Sequence, residues 1–382
     1  MADQLYFSRD TKVYLRNGSS GSTYWEIPVL DGFSFSQATN TSEITLNEMD
    51  NGSGKSRRSR QMFTDSYAPA EWSFSTYMRP FISTAAASGG WEDTGSAAQH
   101  HAMEEPLWAY FAGAPTFAAS NGSTASAWSK SITNSTSNMI VDFADSEVAA
   151  LGTFELYFVL GAASSGTKTT YKMTGCVVNE ASIDFDIDGI ATINWSGFGT
   201  IITEEAAAPT ATITEGIAST SNFIRNRLTS LAVTSASPFQ SSYGLTLTGG
   251  NITMSNNITF LTPETLGVVN QPLGHVTGTR SVSGNFTCYL EHDTAGNPST
   301  DLFEDIIEAT STITNSFGLT FTIGGSSAPK CVVAMPQCHL EVPTHSIDDV
   351  ISLETNFHAL PASVDPGSTD TNYEAKITYT GA

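Results

Sequence analysis

Residues 184–189 read Asp-Phe-Asp-Ile-Asp-Gly, and three carboxylates at alternate positions followed by glycine match the opening of a calcium loop, whose oxygen ligands surround the ion. The twelfth position of such a loop supplies a bidentate glutamate, and here it is Trp195. The flanks alternate as a strand rather than a helix. A solvated acidic strand face carrying Asp184, Asp186 and Asp188 is therefore preferred. His101 and Glu105 stand four apart, a spacing that can put two metal ligands on one helix face. The polar side of an amphipathic helix accounts for them equally well, and Pro106 interrupts any long helix there. Cys176, Cys288, Cys331 and Cys338 form no CxxC and read as buried thiols. His339, beside Cys338, reads as a packed or interface residue. The sequence contains no nucleophile elbow, phosphate-binding loop, dinucleotide fingerprint or HExxH, and no carboxylate pair stands out as acid and base. No catalytic residue, metal or cofactor is assigned, and the chain is expected not to be an enzyme.

The stretch Gly54-Lys-Ser-Arg-Arg-Ser-Arg60 places Lys55, Arg57, Arg58 and Arg60 in seven residues, in a chain with sixteen Lys and Arg and a net charge of −22. A basic run usually suggests nucleic acid, but the overall charge opposes phosphate binding, and no aromatic residues are interleaved with the run. The 382 residues suffice for two or three domains. The charged fraction is only 14%, with Ser, Thr, Asn and Gly in excess, which is a β-rich composition. A surface poor in Lys and Glu suits burial between subunits. The N-terminus has no apolar signal region, and no apolar run reaches the length of a membrane span, so synthesis in the cytosol is expected.

The elements that must position these residues occur twice. The small, polar stretch 204–222 reads as a linker. On either side, five segments recur in the same order. Val13-Tyr14-Leu15 answers Leu231-Ala232-Val233. Residues 23–40 answer 242–258, aligning Tyr24 with Tyr243, Phe33 with Ile252 and Phe35 with Met254. Residues 72–80 answer 285–293, the helical 104–114 answers 299–309, and 188–198 answers 348–358. Alternation predicts strands with one packed face: Ile183, Phe185 and Ile187 against Asp184, Asp186 and Asp188, and Trp72, Phe74 and Thr76 against Ser73, Ser75 and Tyr77. The expected architecture is mainly β (α+β): two tandem domains, 1–205 and 225–382, joined by 206–224, each with one helix on antiparallel sheet.

The order of a strand, "FSFSQATNTSEITLNEM", a long loop, "AEWSFSTYMRPF", a helix and a closing pair ending "IDFDIDGIATINWSGFG" resembles the tail tube (major tail) proteins of long-tailed bacteriophages. The resemblance covers most of 1–205 and, more faintly, 225–382. It implies β-sandwich domains with a flanking helix, whose inner sheets join into a β-barrel around a channel when subunits form stacked rings. It implies a structural virion protein of the tail, made in the host cytoplasm and serving as the conduit for DNA delivery. The partners it implies are further copies of the chain, tape measure protein and terminator or tip proteins, with DNA only in transit. The family ring has six domains, so two per chain would give a ring of three chains. The long loop, here about Asn47 to Pro69, would carry Lys55, Arg57, Arg58 and Arg60 to the adjacent ring. Asp184, Asp186 and Asp188 would form an acidic ladder facing the lumen. The alternatives are a tube or spike subunit of another contractile injection machine and a secreted β-sandwich binding protein.

Overall fold

The computed structural model describes residues 6–18, 23–44, 61–83, 91, 98–118, 127–129, 131–143, 151–161, 168–235, 239, 241–292, 298–308, 317–361 and 373–382. The first half contains β1 (Lys12–Arg16), β2 (Tyr24–Ile27), β3 (Ser34–Glu43), β4 (Met62–Tyr77), β5 (Pro80–Ile82), β6 (His100–Ala102), α1 (Glu105–Ala112), β7 (Thr116–Ala118), β8 (Ala127–Ser129), β9 (Ile132–Asn134), β10 (Met139–Asp142), β11 (Phe154–Gly161), β12 (Lys168–Phe185), β13 (Thr192–Gly199) and β14 (Ile201–Glu205). The second contains β15 (Ser230–Thr234), β16 (Ser242–Tyr243), β17 (Leu247–Ser255), β18 (Thr259–Leu261), β19 (Gly274–Val276), β20 (Ser281–Tyr289), α2 (Ser299–Glu308), β21 (Phe317–Ile323), β22 (Lys330–Leu340), β23 (Thr344–Ile347), β24 (Ile351–Ala359) and β25 (Lys376–Thr380). The molecule is mostly β, as its Thr-, Val- and aromatic-rich alternating runs require.

One antiparallel pairing diagram occurs twice. In the first half β1 pairs with β2 and β11, β11 with β12, β12 with β13, β13 with β4, and β4 with β3. In the second half β15 pairs with β16 and β21, β21 with β22, β22 with β24, β24 with β20, and β20 with β17. The correspondence extends to irregularities. Phe154 faces Cys176 and Leu156 faces Met173 across a bulge; Phe317 faces Cys338 and Leu319 faces Met335 across another. Each cysteine donates its Sγ–H to the carbonyl of the methionine three residues earlier. At the first bulge Gly175 has φ +60, and a Cβ there would lie 2.3 Å from Thr200 Oγ1, so only glycine fits without a shift. The bend lets β12 serve two sheets: 170–174 pairs with β11 and β14, and 177–184 with β13. Facing sheets then close a sandwich, with Phe35 stacked on Phe158 at 4.3 Å and Trp72 against Phe154 at 6.0 Å.

Two further pairings join the halves. The end of β12 pairs with β17, Ile183 opposite Ile252. The C-terminal β25 pairs with β22 on one side and β10 on the other. Among the described residues one large apolar core runs through both halves, and a small second cluster gathers Tyr14, Tyr157 and Val159.

Several expectations are corrected. The repeat alignment slips at two places: Leu15, which faces Leu156 as Val233 faces Leu319, pairs with Trp25 as Val233 pairs with Tyr243, so Tyr243 answers the buried Trp25 rather than Tyr24. Phe35 faces Trp72 as Ile252 faces Gly284, so Ile252 answers Phe35 rather than Phe33. Bulges and unequal loops shift the count in ways that residue similarity does not reveal. The loop placed at Asn47 to Pro69 is shorter, because Met62–Pro69 belong to β4; the bulge between Gln37 and Thr39 accommodates Pro69. α1 is buried all round rather than amphipathic, with Pro106 starting it in the first turn. The linker is a strap on the first half. Ile213 bridges to Trp25, and Arg79 donates to the carbonyls of Gly216, Ile217 and Ser219 at 2.8 to 3.0 Å.

Candidate functional surface: one face of the joined sheet

Because directly paired residues share a face, the pairings define the surface. The joined sheet runs β3, β4, β13, β12, β17, β20, β24 and then β22 with β23. One cross-strand row reads Phe74, Trp195, Ala181, Met254, Val282 and Ala359, all buried. On the other face a row reads Ser34, Ser73, Ser196, Glu180, Ser255 and Ser281. The next reads Ser75, Asn194, Ser182, Thr253, Ser283, His358 and His339, and a third Tyr77, Thr192, Asp184, Asn251, Asn285 and Asn356. Short polar side chains tie neighbouring strands together. Ser75 Oγ donates to Asn194 Oδ1 at 2.7 Å, and Asn194 Nδ2 to Asp184 Oδ2 at 2.8 Å. Asn285 Nδ2 donates to Glu354 Oε1 at 3.1 Å. The face bears Glu71, Glu180, Asp184 and Glu354, and none of its row positions is Lys or Arg.

Asp184, Asp186 and Asp188 are all exposed, but they are not one ladder. β12 ends at Phe185, and only Asp184 stands on the sheet face. Asp186 Oδ1 accepts its neighbour Ile187 N–H, a local bond that competes with the ladder, and Gly189 turns the chain at φ +103. Ile187, expected inside, is 52% exposed at the hairpin tip. Asp188 meets Arg227 at 3.8 Å in solvent. Trp195 is buried, its Nε1 donating to Thr76 Oγ1 at 2.9 Å, so the twelfth calcium-loop position is a core residue. Lys55, Arg57, Arg58 and Arg60 lie outside the described residues; β3 and β4 bring the chain to them at the Glu43–Met62 end.

His101 and Glu105 are both fully buried, Nδ1 to Oε2 at 2.9 Å, with His101 on β6 rather than the helix, stacked on Trp91 at 4.4 Å. Asn134 Nδ2 also meets Glu105, so this pair is an internal polar clasp. The cysteines are all buried, and burial pushes the Cys288 and Cys338 thiols up to about 12. His339 is exposed on the polar face opposite His358 rather than packed. The rows of Ser, Thr and Asn are assembled by strand pairing and do not stand out as a motif in the sequence. Their signal was the strict alternation in stretches such as Asn251-Ile-Thr-Met-Ser255.

A family model described as phage tail tube protein matches residues 65–369. The chain belongs to that family. It is also similar to the tail tube protein pb6 of Escherichia phage T5, 28% identical over 376 residues, which cover 95% of this chain and 74% of the phage protein. This tube subunit is thus a structural component of the virion tail, and self-assembly into a tube is its role. The family argues for a structural rather than an enzymatic protein.

Proposed function

We propose that the chain carries two tail tube domains, residues 1–205 and 225–382 joined by 206–224, and that three chains close each ring around a lumen lined by the polar sheet face. The β12–β17 seam carries this reading, because it is a worked example of one copy's sheet continuing into the next. Matching Cys176 to Cys338 makes His345 the counterpart of Ile183, and Phe35 is the counterpart of Ile252. β23, where Ile347 is 78% exposed, and the outer edge of β3 are then the two open edges of the joined sheet among the described residues. Such edges favour pairing with another chain. Pairing between chains sets His345 opposite Phe35, and three repetitions close six domains with C3 symmetry. Asp184 faces the lumen, with Asp186 and Asp188 at its rim. An acidic wall without Lys or Arg gives passing DNA few attractive traps. Tape measure protein fills the lumen before DNA passes, and terminator and tip proteins cap the tube. Lys55, Arg57, Arg58 and Arg60 make contacts between rings.

Image reconstruction of assembled tubes tests the stoichiometry: three chains per ring are expected, and six full chains would overturn it. Ser346→Pro, which blocks the β23 edge, should leave a folded monomer that cannot close rings.

A further inference from the structure

The end of the linker and the N-terminal segment share one local structure. Asn226–Leu228 forms a single helical turn just before β15, and Ser8–Asp10 forms one just before β1, at the spacing that matches Val233 to Leu15. The bonds repeat as well. Thr229 N–H donates to Asn226 O at 2.8 Å and Thr11 N–H to Ser8 O at 3.0 Å; Leu228 N–H donates to Arg225 O and Asp10 N–H to Phe7 O. At the end of the linker the segment also caps the β12–β13 hairpin. Arg225 bridges antiparallel to Ile190, Ala191 N–H donates to Ile224 O at 2.9 Å, and Asn226 N–H donates to Gly189 O at 3.1 Å. Ile224 and Ala191 are fully buried there, the Phe223 ring stands edge-on to Tyr77 at 5.4 Å, and Arg227 meets Asp188 at 3.8 Å.

The counterpart hairpin, β23–β24, has an exposed apolar tip. Met78 N–H donates to Ala191 O and Leu290 N–H to Ile351 O, both at 2.9 Å, so Ile351 answers Ala191. Counting back, Val350 answers Ile190, Asp349 answers Gly189 and Asp348 answers Asp188. Where Ala191 is covered, Ile351 is 38% exposed and Val350 59%. Tyr289, opposite Ser352 as Tyr77 is opposite Thr192, is exposed beside them. We infer that segment Tyr6–Thr11 of one chain caps the β23–β24 hairpin of its neighbour in the same ring, an assignment that rests on the three-chain ring proposed above.

The seam inside the chain supplies the geometry. Pairing of β12 with β17 sets the turn before β15 over the first hairpin. Pairing of β23 with a neighbour's β3 sets that neighbour's turn before β1 over the second. The contact needs a second chain, because Tyr6 is anchored on the first copy, its Oη 2.7 Å from Thr169 Oγ1 of β12, while β23 and β24 end the joined sheet on the other side. A strand residue's N–H and C=O point the same way, so Ile351 N–H, like its carbonyl, faces past the end of β20. Tyr6 O then accepts from Ile351 N–H, and Ser8 N–H donates to Asp349 O. Charge agrees with this occupant. Arg9, exposed, takes the place of Arg227, and the hairpin tip presents the adjacent carboxylates of Asp348 and Asp349. The contact is heterologous, and in a ring of three it closes after three repetitions.

The test is disulfide capture in assembled tubes. The Ile190–Arg225 bridge is flanked by its two hydrogen bonds, a pair type whose Cα atoms stand about 4.5 Å apart, within disulfide reach. Its counterpart between chains is Phe7→Cys with Val350→Cys, and the four native cysteines are buried. Oxidised tubes should give covalent dimers and trimers and nothing larger, and the unassembled protein should give none. Ile190→Cys with Arg225→Cys is the reference that links within one chain. Tubes whose rings hold three chains but that yield no linked chains overturn the assignment and leave the ring reading standing. Linked species larger than trimers overturn it as well, because they put the contact between rings or in a larger ring. Rings of six chains in the image reconstruction overturn the ring reading itself. If the reduced double variant does not assemble, an exchange of charges decides. Arg9→Asp should raise the concentration needed for assembly about threefold, and adding Asp348→Arg should restore it. An unchanged concentration for Arg9→Asp, or no recovery in the double variant, counts against the assignment.

Discussion

Glu104 is fully buried, and burial pushes its carboxyl up to about 7, against the pull of hydrogen bonds from Tyr379 and the Arg79 N–H. The protonated form is favoured in the folded chain. Its stabilising contribution is therefore complete below the ordinary carboxyl value of 4.5 and is lost as pH rises through about 7. The span corresponds to at most about 3 kcal/mol. Glu104→Gln should match wild type near pH 4.5 and be more stable at pH 8, as read from urea midpoints at each pH. Arg79, beside it, is the clamp of the linker strap: besides three carbonyls it meets Asn222 Oδ1 at 3.3 Å and lies over the Phe223 ring at 4.6 Å. A lysine has neither the fork nor the flat face. Arg79→Lys should cost about 2–4 kcal/mol in chemical unfolding through the carbonyls left without donors.

At the scale of elements, the bent strand lets each half fold as a sandwich, and close strand approach limits which residues the joined sheet accepts. Gly284 in β20 shows the tolerance: a Cβ there would lie 2.0 Å from the Asn251 carbonyl oxygen. Gly284→Ala should therefore destabilise by about 1–3 kcal/mol, since backbone must move. Gly274→Ala, where a Cβ meets nothing within 4 Å, should leave the thermal midpoint within a degree or so of wild type. Equal midpoints for the two variants would show that the β17–β20 approach is not limiting.

For the whole molecule, the polar face matters through the tube proposed above, in which it would form the wall at every ring. Asp184→Asn keeps the side chain's shape beside Asn194 and should assemble and eject DNA normally. Asp184→Lys adds a positive charge at each repeat, and particles built from it should retain DNA or eject it more slowly. Ejection at the wild-type rate from such particles would mean that the charge of this face does not matter to transit.

The β class and the two helices were legible in the sequence, because period-two alternation is a local property that survives divergence. The alternation of Trp72, Phe74 and Thr76 with Ser73, Ser75 and Tyr77 was enough to assign faces correctly. It failed at Ile187, whose N–H donates to Asp186 Oδ1 instead of to a neighbouring strand, so β12 stops at Phe185 before the pattern does. It failed for α1, because whether a helix is buried on one side or on all sides depends on what packs over it. Register was beyond it too. A shift of one residue exchanges the faces, and Trp25 rather than Tyr24 was selected by a pairing with Leu15 that no local pattern encodes. The joining of β12 to β17, and with it the continuous polar face and the open edges, brings together residues about 70 apart in sequence. Only the tertiary structure decided these, because pairing between distant strands is set by the packing of the whole core and not by either strand alone.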